Sequence, residues 1–305
     1  MNKKNGDNTM NPMVSVIIAT YRRSLELKRA IQSVINQTYQ NVEIIVIDDN
    51  ANEQWNSIVS DIINLLLNKT SMSIKKIVNA SNLGSAKTRN RGIEESTGDY
   101  ITFLDDDDYY LPEKIEKQLF AMINSNADYS ISDLTLLYSD GSICEERNRP
   151  YLLTKERSNL IICHLKYHMT GTDTLMFSKE YLNKIGRFEP IDVGDEFYLM
   201  MKAINGDGVF VYQPGALVCA YVHTGDNSLS SGLTKINGEN ALFKYKKTFF
   251  HSISKRDQQY IIMRHHAVLS FAYKRNGNYL YFFLEGVLSF LAEPIACFEL
   301  IQSFK

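Results

Sequence analysis

Short apolar runs alternate along the first part of the chain with stretches in which apolar residues recur every three or four positions. Val14 to Ala19 and Val42 to Ile47 are runs of strand length, as expected of strands buried on both faces of a parallel sheet, and Ile74 to Val78 is a shorter third. Between the first two, Ser24 stands at the cap of a helix on which Leu27, Ile31, Val34 and Ile35 share a face. A second helix passes through Ile58, Ile62, Ile63 and Leu66. Asn82-Leu83-Gly84 introduces a basic helix carrying Lys87, Arg89 and Arg91, and Gly98-Asp99 turns the chain into a fourth strand at Tyr100. This alternation predicts an open α/β sheet with right-handed crossovers.

Beyond Asn124 the rhythm changes. Tyr129 to Ser132 and Leu134 to Tyr138 read as two strands, with Asp140-Gly141 as a hairpin turn. Leu175 to Ser178 is a further strand, Gly186 closes a short helix, and Asp195-Glu196 begins another. Val209 to Tyr212 and Ala216 to Val222 read as two more strands, and from Lys235 onward the pattern is helical.

In open α/β sheets ligands bind beyond the carboxyl ends of the strands. Three such ends carry chemistry here: Thr20-Tyr21, Asp48-Asp49, and the four consecutive acids Asp105 to Asp108. Four adjacent carboxylates repel one another, and a divalent cation with a preference for oxygen ligands is the natural partner. The convergence indicates a nucleotide-and-metal site. Composition narrows the field. A chain of 305 residues with a formal charge of -2 argues against nucleic acid as the main partner. The four cysteines form no CxxC pair and read as reduced thiols of a cytoplasmic protein, and no apolar stretch reaches about 18 residues.

In serial order, Val14-Ser15-Val16-Ile17-Ile18-Ala19-Thr20-Tyr21, Gln37-Thr38-Tyr39, Val46-Ile47-Asp48-Asp49, Asn82-Leu83-Gly84 with Arg89-Asn90, Gly98-Asp99-Tyr100 and Leu104-Asp105-x-Asp107-Asp108 resemble the family 2 inverting glycosyltransferases of bacterial surface-polysaccharide synthesis. The resemblance covers roughly Met13 to Ser230 and is strongest up to about Lys117. It implies a GT-A type fold (a Rossmann-like open mixed sheet flanked by helices), a nucleotide-sugar donor and a divalent metal, Mn2+ or Mg2+. The activity implied is transfer of a hexose or N-acetylhexosamine from a UDP-sugar to a hydroxyl of a glycan, free or lipid-linked.

Carried onto this chain, the resemblance places Thr20 and Tyr21 at the donor, with Tyr21 stacked on the nucleobase and Asp49 accepting from its N–H edge. Arg89 would lie near the diphosphate or ribose, with a surface helix cation as the plainer reading; Lys87 and Arg91 are expected to face solvent. Asp105 and Asp107 are the two acids of the family's Asp-x-Asp signature, and residues i and i+2 of an extended backbone point the same way. Asp107 would bind the metal, Asp105 the ribose or a metal-bound water, and His223 would complete the metal shell. Asp106 fills the variable donor-side position, and Asp108 either orients the loop or caps the next helix. Asp173 would bind sugar hydroxyls or serve a turn. The general base comes from Asp195-Glu196, whose order is the reverse of the family's usual Glu-Asp; by position Glu196 is the base.

The expected division is a disordered leader over residues 1–12, a catalytic domain over 13–230 and a helical C-terminal extension over 231–305. Within the catalytic domain, 13–125 would form the nucleotide-sugar half and 126–230 the acceptor half. The acidic, aromatic tail is expected to pack on the catalytic domain or form a homodimer, with peripheral contact at the inner face of a membrane as the other reading. His265-His266 reads as structural. Two rival functions are a sugar-nucleotide nucleotidyltransferase and a non-catalytic glycan-binding subunit. The first would want a glycine-rich loop where Thr20-Tyr21-Arg22-Arg23 stands, and the second would have lost acids.

Overall fold

A computed structural model describes residues 11–153, 156–191, 193–222 and 232–302. The expected α/β half forms as anticipated: β1 (Val14–Thr20), α1 (Leu25–Ile35), β2 (Val42–Asp48), α2 (Glu53–Leu67), β3 (Ser73–Val78), α3 (Ser85–Glu95) and β4 (Tyr100–Phe103). All four strands are parallel, in the spatial order β3-β2-β1-β4. β1 and β2 carry continuous apolar runs because α1 and α2 cover one face of them while α3 packs against the other side. Gly92 of α3 sits so close to Ile17 that an added Cβ would lie 2.4 Å from its side chain, so this helix approaches the sheet through a glycine.

The chain then continues through β5 (Tyr109–Tyr110), α4 (Lys114–Asn124), β6 (Tyr129–Leu137), β7 (Ile143–Arg147), α5 (Arg157–Tyr167), β8 (Leu175–Ser178), α6 (Lys179–Lys184), α7 (Asp195–Asn205) and β9 (Phe210–Tyr221). The sheet order β3-β2-β1-β4-β8-β6-β9-β5, with β7 hydrogen-bonded to β6, mixes parallel and antiparallel pairs.

Four sequence expectations change here. The two strands expected around Ser132-Asp133 are one strand, β6, and the two expected around Gln213-Pro214-Gly215 are one strand, β9. Their shared ladder shifts register at Ser132 and Asp133, where Asp133 is buried and accepts from Tyr212 Oη, Arg149 N and Gly215 N. A carboxylate supplied with donors thus bridges what reads in sequence as two breaks. Ser24 occupies the cap position of α1, but its hydroxyl makes no cap hydrogen bond. Arg91 is not simply solvent-facing, since its guanidinium donates to Val78 O at 2.8 Å and to Asn79 Oδ1.

The C-terminal helices are α8 (Gly232–Lys247), α9 (Lys255–Arg275), α10 (Tyr279–Ala292) and α11 (Pro294–Gln302). Leu242 of α8 and Ile261 of α9 join Leu165, Phe197 and Met201 in one cluster, which seats these two helices on α5 and α7. By contrast, α10 rests on α9 and buries only Ser289 fully. The expectation that the aromatic tail packs on the catalytic domain is therefore not met by α10. The expected boundary at residue 230, and residues 1–10 of the expected leader, lie outside the described residues. Asn11 and Pro12 are held, their carbonyls accepting from Asn41 Nδ2 and Tyr39 Oη.

Candidate active site

The carboxyl edge of β1, β2 and β4 brings the expected donor-side residues together. Tyr21 stands exposed just past β1, at 43 % of its accessible surface, and Arg22 lies against its ring at 5.0 Å. A half-open aromatic at a strand end is a surface on which a base can stack. Asp48 is fully buried and serves the turn, accepting from Asn50 N and pairing with Lys76 at 3.2 Å. Asp49 holds the Asn82-Leu83-Gly84 segment: Oδ1 accepts from Asn79 Nδ2 and Leu83 N, and Oδ2 from Gly84 N. Those three bonds leave about one of a carboxylate's four acceptor positions for a ligand.

The four acids do not continue β4. Asp108 N donates to Asp105 O at 3.2 Å, so the run closes a turn, and the alternation expected of an extended backbone does not apply. The turn separates the four roles. Asp106, at the variable position, accepts from Thr20 Oγ1 at 2.8 Å and from Tyr21 N at 3.1 Å, tying β1 to the turn. Burial and neighbouring Asp107 push its carboxyl up to about 7. Asp107 pairs with Arg23 at 2.8 Å on the partly exposed rim. Asp108 does not cap α4, whose cap residue is Glu113; it accepts from Tyr221 N and so anchors the end of β9.

Asp173 enters from the short 3₁₀ turn before β8, accepting from Asp105 N at 2.6 Å. That bond joins it to the acidic turn rather than to its own 3₁₀ turn, which Gly171 and Thr174 close. One carboxylate oxygen from each of Asp105, Asp108 and Asp173 lies within 4.8 Å of the others. The Asp108 and Asp173 carboxyls face each other within this cluster. Burial, and then the neighbouring acids, raise both well above the usual carboxylate range.

Arg89 is buried, which overturns the surface-cation reading. Its guanidinium bridges Asp105 at 2.6 Å and Asp195 at 2.8 Å, linking the strand-end acids to the start of α7. Burial opposes its charge, but Asp105 and Asp195 more than offset this and raise its pKa. Asp195 is pushed up to about 7 by burial, with Arg89 pulling the other way. The reversed acid pair divides cleanly. Asp195 faces Arg89, whereas Glu196 Oε1 lies 2.8 Å from His168 Nε2.

His168 was not singled out in the sequence. It ends α5 in a left-handed conformation, φ 47°. Burial, then Lys246 of α8, push its imidazole down to about 3, so it is neutral and its Nε2–H donates to the Glu196 carboxylate. The C-terminal helices thus bring Lys235, Glu239, Lys246 and Arg264 around the Glu196 pair. His223 lies outside the described residues.

A sequence profile of the family described as "Glycosyl transferase family 2" matches residues 15–186. The chain belongs to that family. As a family 2 glycosyltransferase it is 29 % identical over 227 residues to an uncharacterized glycosyltransferase of Haemophilus influenzae, spanning 73 % of this chain and 84 % of the relative. It is 25 % identical over 223 residues to the Escherichia coli UDP-Glc:alpha-D-GlcNAc-diphosphoundecaprenol beta-1,3-glucosyltransferase WfgD, spanning 73 % and 81 % of the two chains. Its fold matches that of the mannosyltransferase PcManGT from Pyrobaculum calidifontis, solved with GDP-Man and Mn2+. That match has a TM-score of 0.61 at 13 % identity and covers 97 % of this chain and 85 % of the other. The sheet of this family 2 enzyme is accordingly of the GT-A type anticipated from its motifs. The profile ends before Asp195 and Glu196, so the acid pair is located by geometry rather than by the match.

Proposed function

We propose that this glycosyltransferase is a metal-dependent, inverting enzyme that moves a hexose or N-acetylhexosamine from a UDP-sugar to a hydroxyl of a surface glycan, with a lipid-linked saccharide as the acceptor class. The observation that carries the reading is the Arg89 bridge, which joins the acidic turn after β4 to the Asp195-Glu196 pair, Arg89 and Asp195 lying 106 residues apart in sequence. Tyr21 would receive the base, the open acceptor position of Asp49 its N–H edge, and Asp105 the ribose. UDP is favoured because the Escherichia coli relative is named for UDP-Glc. The same relative is named for an acceptor carried on diphosphoundecaprenol, which motivates the lipid-linked class.

The carboxylate oxygens of Asp105, Asp107, Asp108 and Asp173 suit a hard divalent cation such as Mn2+ or Mg2+. Within that set Asp108 and Asp173 are buried, whereas Asp105 and Asp107 present partly exposed carboxylates. Asp107 and Asp105 would therefore hold the ion, with His223 as a further ligand. A bound cation would stabilise charge on the departing diphosphate. Glu196, oriented by His168, would take the proton of the acceptor hydroxyl. The hydroxyl oxygen would bond to the anomeric carbon as the bond to the diphosphate breaks on the opposite face, releasing UDP and inverting the centre. Asp195 would hold Arg89 in place rather than act on substrate.

A panel of nucleotide sugars incubated with the enzyme and Mn2+ should release UDP from one donor and little GDP from GDP-sugars. Preferential turnover of a GDP-sugar would overturn the donor assignment, and full turnover in the presence of EDTA the metal assignment.

A further inference from the structure

The helical hairpin of α9 and α10 is inside out for a protein in water. On α10 the side facing α9 carries Phe282, Glu285, Gly286 and Ser289, and the polar members are engaged there. Glu285 pairs with His266 Nδ1 at 2.6 Å, Ser289 Oγ donates to Met263 O, and Ser270 Oγ of α9 donates to Phe282 O. The outward side carries Leu280 (68 % exposed), Phe283 (66 %), Leu284, Val287, Leu288, Phe290 and Leu291 (69 %). Ile295, Phe298 and Ile301 extend this apolar surface along α11. A monomeric soluble protein rarely exposes so continuous a face, and small or hydroxylated residues at the helix contact with apolar residues outside is how helices pack in lipid.

We propose that α10 and α11 lie in the surface of an anionic lipid membrane and seat the enzyme there. Two features favour lipid over a second copy of the chain. At about 100° per residue, the exposed side chains of α10 sweep about 200° of the helix circumference, from Tyr279 and Phe290 round to Tyr281. A packed partner helix needs a seam of only about 100°. The charge is also complementary. Lys274 and Arg275 are exposed in the last turn of α9, beside the tyrosines that begin α10, and residues 231–305 hold ten Lys and Arg against five Asp and Glu.

Acidity was the sequence argument against lipid, and it weakens in the fold for two of the three tail acids, Glu299 of α11 remaining exposed. Glu285 turns inward to His266, and Glu293 accepts from Ala296 N at the start of α11. Among the described residues no helix is long and apolar enough to cross a membrane, so the helices would lie along the interface rather than span it.

This seating is independent of the donor and of the general base. The full chain is floated on a density gradient with vesicles of phosphatidylethanolamine and phosphatidylglycerol, and separately with phosphatidylcholine alone. The wild type should float with the anionic vesicles and bind the zwitterionic ones about tenfold more weakly, through the loss of attraction to Lys274 and Arg275. Lys274→Glu with Arg275→Glu should lower anionic binding about tenfold. Leu284→Glu with Leu291→Glu should lower binding to both vesicles by at least about tenfold. Ile143→Glu, an equally exposed apolar position on β7, should change neither. Failure of the wild type to float overturns the proposal. A vesicle-free dimer that Leu284→Glu with Leu291→Glu dissociates, with no flotation of the wild type, assigns the face to a second copy.

Discussion

The carboxyl edge of the sheet and the C-terminal hairpin place polarity in opposite ways. At the sheet edge Arg89, Asp108, Asp173 and Asp195 are buried, and Arg89 pairs with Asp105 and Asp195 within the protein. On α10 the polar groups are also turned inward, but what remains outside is apolar. A buried charge network costs desolvation, and an exposed apolar face costs contact with water. The first region is proposed to take a small charged molecule through the rim, and the second an extended apolar phase.

The contrast can be broken at several points. The largest effect is expected at the base. Glu196→Gln should keep donor binding and lose transfer by about a thousandfold. If Asp195→Asn is inactive while Glu196→Gln keeps turnover, the two acids have exchanged roles. Next comes Arg89→Ala, which leaves Asp195 and Asp105 without their shared partner and should destabilise the fold by about 3–5 kcal/mol in urea unfolding. A loss below about 1 kcal/mol would mean that the bridge is peripheral. The smallest effect is expected on the hairpin: Leu284→Glu should alter stability by no more than about 0.5 kcal/mol in vesicle-free buffer, because the side chain is already in water. A marked destabilisation there would mean that the face is covered by protein.

The two regions also differ in how far the sequence exposed them. β1, β2 and β4 were legible because a strand buried on both faces is predominantly apolar, a local constraint that survives without tertiary knowledge. By contrast β3, of which only Ile77 is buried, was marked only by Ile74, Ile77 and Val78. Tyr21, Asp49 and the acids after Phe103 were legible for the same reason, since they follow directly from the strand ends. Division of labour among the acids was not. Asp108 meets Asp173, Arg89 meets Asp195, and His168 meets Glu196 only through contacts between distant segments. The Asp105 to Asp108 run was read as extended, whereas its turn brings the first and fourth acids together and leaves the third at the rim. For β6 and β9, polar residues in mid-strand looked like breaks because their partners, Arg149 and Tyr212 on Asp133, come from elsewhere. On α10 the acids were visible, but not the His266 that turns Glu285 inward.

The most direct test is UDP binding to wild type and Asp107→Ala by calorimetry, with and without Mn2+. Mn2+ should tighten UDP binding to the wild type by at least about tenfold, as expected of a cation that bridges the diphosphate to protein carboxylates, and Asp107→Ala should abolish that gain. Equal Mn2+ enhancement in both proteins, alongside its loss in Asp108→Asn, would contradict the assignment and place the metal within the Asp105, Asp108 and Asp173 cluster.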